Sequence, residues 1–232
     1  MSTGQFRAVA IIGQKGGTGK TTTTVELAVT AAKAGETVAV IDLDPQANAA
    51  NWKDRREADN PYVVATPPGR LKQTIDAART AEADLAIIDT AGKAYDLAIA
   101  AARHADLVLI PCHGQIYDME TLPAVRDIVR AAGDPPAFVL YNGIHPRGNR
   151  IADELKALTK PHYGLEACPI HLTQRAAYGE APAEGKAGQE VDDTGKIAAE
   201  AQRLYLFICE QVNKFRSEHG NGEAAGRAEK RA

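Results

Sequence analysis

The stretch "GQKGGTGKTTTT" (residues 13–24) follows the apolar run "RAVAII" (residues 7–12), and its reading decides the fold. A phosphate loop of the form G-x-x-x-x-G-K-[ST] needs a glycine five positions before its second glycine. Gly19, Lys20 and Thr21 satisfy the second half of that form, but the fifth position before Gly19 is Gln14. Gly13 comes one place early, and Lys15 stands where an inert spacer would do. The loop nevertheless lies where its chemistry requires, after a strand-like run and at the opening of a helical pattern. Its glycines let backbone N–H groups converge on phosphate oxygens without Cβ clashes. The helix start adds partial positive charge. Lys20 would reach the β- and γ-phosphates of ATP, and the Thr21 hydroxyl would ligate Mg2+. Gly16, Gly17, Thr18, Gly19 and Thr22 complete the cradle. The plainer alternative is a Gly-rich turn before a Thr-rich helix start.

Outward from the loop, β-branched apolar runs recur at residues 7–13, 37–44, 84–90, 106–112 and 137–143, and more weakly at 164–170. They are continuous rather than alternating, as expected of strands covered on both faces. Helical patterns separate them, at residues 20–35, 70–83, 94–105, 118–133, 149–161 and 194–215. Pro123 should lie near the start of its helix or kink it. This alternation predicts an α/β fold of the P-loop NTPase kind, a mostly parallel twisted sheet with helices on both faces. With 232 residues, one domain over 1–216 is expected, followed by a polar tail, "SEHGNGEAAGRAEKRA", read as disordered.

Composition narrows the class. Apolar residues are 44% and charged ones 25% of the chain, ordinary for a globular protein. Cys112, Cys168 and Cys209 are scattered, which suits a reducing cytosol and argues against a zinc or iron–sulfur ligand set. The six histidines show no ligand spacing. No apolar window is long enough to span a bilayer, and no signal peptide is evident. A net charge of −3 neither suggests nor excludes nucleic acid.

Two acidic motifs accompany the loop. "IDLDPQAN" ends the second run with Asp42 and Asp44 two residues apart, on one side of an extended segment. In open α/β sheets the carboxyl ends of strands are where ligands bind. Two carboxylates there can hold hydrated Mg2+ and orient a water; the alternative is an Asx turn ahead of Pro45. "LAIIDTAG" ends a third run in Asp89, the usual second Mg2+ anchor, with Gly92 giving its loop freedom to respond to a γ-phosphate.

"KGGTGKTT", "DLDPQANAANW", "IIDTAG" and a late "EAPAEGK" together resemble the ParA/MinD family of deviant Walker-A ATPases over residues 7–210. The resemblance implies that Lys15 is the family's signature lysine, reaching across an ATP-bound homodimer to the partner's phosphates. It also implies that Lys20 and Thr21 bind phosphate and Mg2+, that Asp42 and Asp89 hold Mg2+ through water, and that Asp44 orients the attacking water. Asn142 falls where the family reads adenine; a strand-end turn residue is the other reading. "IDTAGK" and "PCHGQIYDMETL" depart from the family's usual forms, in the region that responds to partners.

Among family members the chain resembles the short ParA type. Its tail has no Leu, Ile, Phe or Trp to make a membrane-binding helix. The expectation is a slow, partner-stimulated ATPase that dimerises with ATP, binds non-specific DNA and drives plasmid or chromosome partition with a ParB-type protein. It would be cytoplasmic and nucleoid-associated. Arg175 and Arg203 are the DNA-contact candidates, with Arg147, Arg150, Lys156 and Lys160 as a second set; ordinary solvated charge is the alternative for both. A positioning ATPase for a protein cargo, and a P-loop metabolic kinase or ligase, are the competing functions.

Overall fold

The computed structural model describes the backbone of residues 5–229 and the side chains of residues 5–218. Seven strands form one sheet: β1 (Arg7–Ile11), β2 (Val38–Asp42), β3 (Tyr62–Ala65), β4 (Leu85–Asp89), β5 (Leu107–Cys112), β6 (Ala137–Tyr141) and β7 (Glu166–Ala167). Their order is β3-β2-β4-β1-β5-β6-β7. Every pairing is parallel. The helices are α1 (Lys20–Lys33), α2 (Asn48–Asp54), α3 (Leu71–Thr80), α4 (Tyr95–Arg103), α5 (Ile116–Met119), α6 (Leu122–Ala131), α7 (Asn149–Tyr163), α8 (Ala177–Glu180) and α9 (Lys196–Glu229).

Side chains alternate across a strand, so each central strand feeds two cores. Val9, Ile11, Val40, Ile87 and Leu109 pack with Leu27 and Ala28 of α1 and with Leu204, Ile208 and Val212 of α9. Ala10, Ile12, Ile41, Ile88 and Ile110 pack on the other face with α3, α4, α6 and α7. The continuous apolar runs follow directly, because neither face of the central strands meets water. Each such aliphatic chain contributes roughly 1.5–3 kcal/mol by leaving water. The helix after β1 covers one face and the helices after its neighbours β4 and β5 cover the other. The crevice this opens at the carboxyl ends of the strands is where such sheets bind ligands.

Some expectations shift. The weak run at 164–170 forms only the two-residue β7. Pro123 falls in the first turn of α6, and the residues before it form the separate turn α5. Pro161 lies inside α7, which closes at Gly164 with φ 64. β3 and α2 had no place in the sequence reading. The expected boundary at 216/217 falls within α9, whose backbone is described through Glu229; the tail's side chains from residue 219 lie outside the described residues.

Candidate nucleotide site

Strand register brings the acidic residues together. Asp42 pairs with Asp89, and Asp89 with Ile11, so the carboxylates stand side by side on one side of the strand that leads into the phosphate loop, Asp89 on the adjoining strand and Asp42 one strand further out. The loop closes at Gly19, the N-cap of α1, with φ 85. The first turn of α1 holds no acidic residue, which leaves its positive end for an anion.

Lys20 is buried, and its Nζ donates to the Lys15 carbonyl at 2.9 Å. Burial pushes its pKa down, against the opposing pull of Asp89 and Asp44. The ammonium is thus held across the loop and short of counter-charge, which a phosphate would supply. Thr21 Oγ1 donates to Asp89 Oδ2 at 2.7 Å. Asp89 is fully buried, and its Oδ1 has no hydrogen-bond partner. Burial, with Asp42 nearby, pushes its carboxyl up to about 7.

Asp42 is also buried, and burial raises its pKa. It accepts the backbone N–H groups of Asp44 at 3.0 Å, Ala49 at 2.9 Å and Ala50 at 3.1 Å. The start of α2 is therefore tied to this carboxylate. Asp44 is half-buried and closes an Asx turn by accepting the Gln46 N–H at 2.9 Å. The turn and the functional reading coexist, since the Asp44 charge still acts on both Lys20 and Asp42.

These groups fit Mg2+. The ion keeps several waters and takes one or two carboxylates plus substrate phosphates, rather than an all-protein cage. Among the described residues no three His, Cys, Asp or Glu side chains form such a cage. The unpartnered Asp89 Oδ1, its uncompensated burial and the adjoining Thr21 hydroxyl are the donor set a hydrated divalent cation would use.

Lys15 turns away from this cradle. Its Nζ pairs with Asp118 of α5, a buried carboxylate, while the Lys15 side chain is 40% exposed. Sequence reasoning missed Asp118; its only signal was the unusual character of "PCHGQIYDMETL". Gly92 permits a close approach, because a Cβ there would lie 2.9 Å from Gly16 N and 3.0 Å from Lys15 C. The loop after Asp89 therefore rests on the phosphate loop. Asn142 is buried beneath the loop and donates from Nδ2 to the Thr18 carbonyl at 2.6 Å.

Beside Thr21 and Thr22 lies a cleft of about 170 Å3, lined by Glu26, Trp52, Tyr178 and Pro182 among others. The segment bearing Tyr178 is buckled to both neighbouring helices. Glu26 of α1 accepts from Gly188 N and from Gln189 Nε2 at 3.0 Å. Trp52 Nε1 of α2 donates to Lys186 O at 3.0 Å, and Arg56 pairs with Glu190. "EAPAEGK" thus braces the site from outside, a role invisible without the fold.

Of the DNA candidates, Arg175 is half-buried and paired with Glu200 at 3.4 Å, so the structure gives it an anchoring place rather than a free surface. Arg203 is exposed, its Nε turned to Ala199 O of its own helix. One member of each set acts on His171: Lys156 Nζ lies 3.3 Å from its Nδ1, and the Arg203 charge also reaches it. Burial, then the charges of Lys156 and Arg203, lower the His171 pKa, against Glu200 and Asp153. Arg150 and Lys160 are paired with Glu154 and Glu166.

A parallel sheet with a glycine loop opening the first helix, and two buried carboxylates at adjoining strand ends, defines a P-loop nucleotide-binding protein. Residues 9–188 match the family described as the CobQ/CobB/MinD/ParA nucleotide binding domain, and the chain belongs to that family as a ParA/MinD-type ATPase. It is 26% identical to the chromosome-partitioning ATPase Soj of Thermus thermophilus, over 90% of this chain and 98% of that one. It is 30% identical to the maintenance of carboxysome distribution protein A of Gloeobacter kilaueensis, over 90% and 94%. In fold it is similar to the ATP complex of McdA from Cyanothece, with a TM-score of 0.63, 17% identity and coverage of 93% of this chain and 96% of that one. Among the described residues no helix is long and apolar enough to cross a membrane.

Proposed function

We propose that this chain is an ATP-switched dimeriser that drives plasmid or chromosome partition: MgATP joins two copies, the pair binds DNA of any sequence, and hydrolysis stimulated by a ParB-type protein releases it. It would work in the cytoplasm, on the nucleoid. The division of labour between the two loop lysines carries the reading. Lys20 lies across its own loop, whereas Lys15 is parked on Asp118. A lysine that does not serve its own cradle is available to a second copy's phosphates.

In this scheme Lys20 and the loop N–H groups hold the β- and γ-phosphates. Thr21, Asp42 and Asp89 would hold Mg2+, which would supply neutralising charge to the phosphate oxygens. Asp44 orients the attacking water. Phosphoryl transfer asks mainly for positioning and charge stabilisation, so hydrolysis stays slow until a partner completes the site. Arg203, with Lys156 and His171 beside it, is the DNA-facing group; Arg175 supports it through Glu200.

Light scattering with ATP and with ADP tests the switch. Dimers should form with ATP alone, and Lys15→Gln should remain monomeric while its nucleotide affinity stays within about twofold of wild type. A Lys15→Gln protein that dimerises with ATP as wild type does would overturn the role of Lys15. The second reading, a protein cargo, rests on the 30% identity to a relative named for carboxysome distribution. Titration of random-sequence duplex with ATP present separates the two: absence of binding at low salt favours the cargo reading. Stoichiometric consumption of ATP with a small acceptor would favour a kinase or ligase instead.

A further inference from the structure

We infer that Asn142 is a positioning residue for the phosphate loop, setting the direction of one of its anion-binding N–H groups. The inference rests on the nucleotide site described above and concerns how that site is held. Asn142 follows β6 immediately and is buried, with its own N–H donating to Cys112 O at 2.9 Å. Its side chain therefore starts from a fixed sheet position. Nδ2 donates to Thr18 O at 2.6 Å. A carbonyl can only accept, so the partner fixes which end of the amide faces the loop.

The consequence follows from peptide geometry. The Thr18 carbonyl and the Gly19 N–H belong to one planar trans unit and point in opposite directions. Pinning the carbonyl down against Asn142 turns the Gly19 N–H outward, to the side where the loop's other donors converge. Gly19 has a φ of 85, and a Cβ there would collide with Asn142 Nδ2. Glycine at 19 thus answers two demands, the left-handed backbone and the space the amide fills. Lys20 does the same at the other end of the loop by binding the Lys15 carbonyl, which belongs to the peptide unit of the Gly16 N–H.

The donor end of the amide serves the loop. Its donor is committed to Thr18, and its acceptor Oδ1 is buried without a partner. A group that orients the loop acts on phosphate whatever is attached to it.

The test compares MgATP with magnesium tripolyphosphate, which has no base, as ligands of the full chain. Asn142→Ala should lose affinity for both by the same factor, about three- to tenfold, the worth of one hydrogen bond. Asn142→Asp keeps the shape but sets an oxygen against the Thr18 carbonyl, and should lose at least as much for both. Thermal melting without nucleotide provides the control: a merely structural role would lower the melting temperature and leave the affinities of the folded protein unchanged. A loss confined to ATP would overturn the inference in favour of base recognition, as would a wild-type protein that binds ATP but not tripolyphosphate. Unchanged affinity for both ligands in either variant would overturn it as well. The light-scattering result is independent, since tripolyphosphate binding is read without dimer formation.

Discussion

The phosphate-loop edge and the α7–α9 surface treat charge in opposite ways. At the loop, Lys20, Asp42 and Asp89 are buried with their charges under-compensated, and burial moves each of their pKa values toward neutrality. On the α7–α9 surface, Arg150, Lys156, Lys160 and Arg175 each have a carboxylate partner at hand. Desolvated charges are costly until a ligand completes them, whereas exposed ion pairs contribute little and change little. The loop edge is therefore built to bind as a single copy. The other surface offers few uncommitted cations per copy; under the proposed dimerisation two copies would combine their contacts with a polyanion.

The contrast can be broken most sharply at Asp44. Asp44→Ala should lower turnover by about a hundredfold or more, the scale of a lost proton-transfer or water-orienting group. It should keep MgATP binding, because the cradle and the Asp42–Asp89 pair are untouched. Wild-type turnover in that variant would remove Asp44 from the chemistry.

The next effect is one of pH. Burial pushes the Asp89 carboxyl up from its ordinary 3.8 to about 7. Its raised value makes the nucleotide-free protein most stable at low pH. That advantage is lost as pH rises from the ordinary carboxylate range to about 7, and stability is flat in this respect above it. Mg2+ needs the carboxylate, so below pH 7 it must expel a proton. MgATP affinity measured by calorimetry should fall about tenfold between pH 8 and pH 6, with proton uptake into buffer on binding. Asp89→Asn should bind more weakly throughout and lose this pH dependence; a variant that keeps it would move the titration elsewhere.

The smallest effect belongs to the other surface. Arg203→Ala should reduce the log–log salt slope of DNA binding by about two per dimer, at about −0.9 per phosphate contact, and weaken all sequences alike. Arg175→Ala should leave the slope unchanged and act through the anchoring of its loop. A slope indifferent to Arg203 would move the DNA-facing patch to Arg147 and Arg150.

This contrast also explains what could be read without coordinates. The loop was legible because its backbone geometry dictates residue types: glycine where φ is positive, lysine and threonine next to it, aspartate at strand ends. The central strands were legible because both their faces are dry. β3 was not, since Tyr62–Ala65 is an apolar run of only four residues on an edge strand half-open to water, too short to stand out. Asp118 and the Glu26–Gln189 lock were hidden because their partners lie about 100 residues or more away in sequence. Arg175 looked like Arg203 on paper; only the placement of Glu200 separates them.

α9 has a mechanical consequence. Near its start Glu200 grips Thr173, accepting from its N–H at 2.9 Å and its hydroxyl at 2.7 Å, beside the nucleotide edge. Some 24 Å further on, at 1.5 Å per residue, Arg216 donates to the Phe6 carbonyl at 2.7 Å and pairs with Asp106 at 2.9 Å, at the amino ends of β1 and β5. Held at Glu200 and again at Arg216, this stretch of α9 ties the Thr173 loop to the amino ends of two central strands and acts as a brace along the sheet.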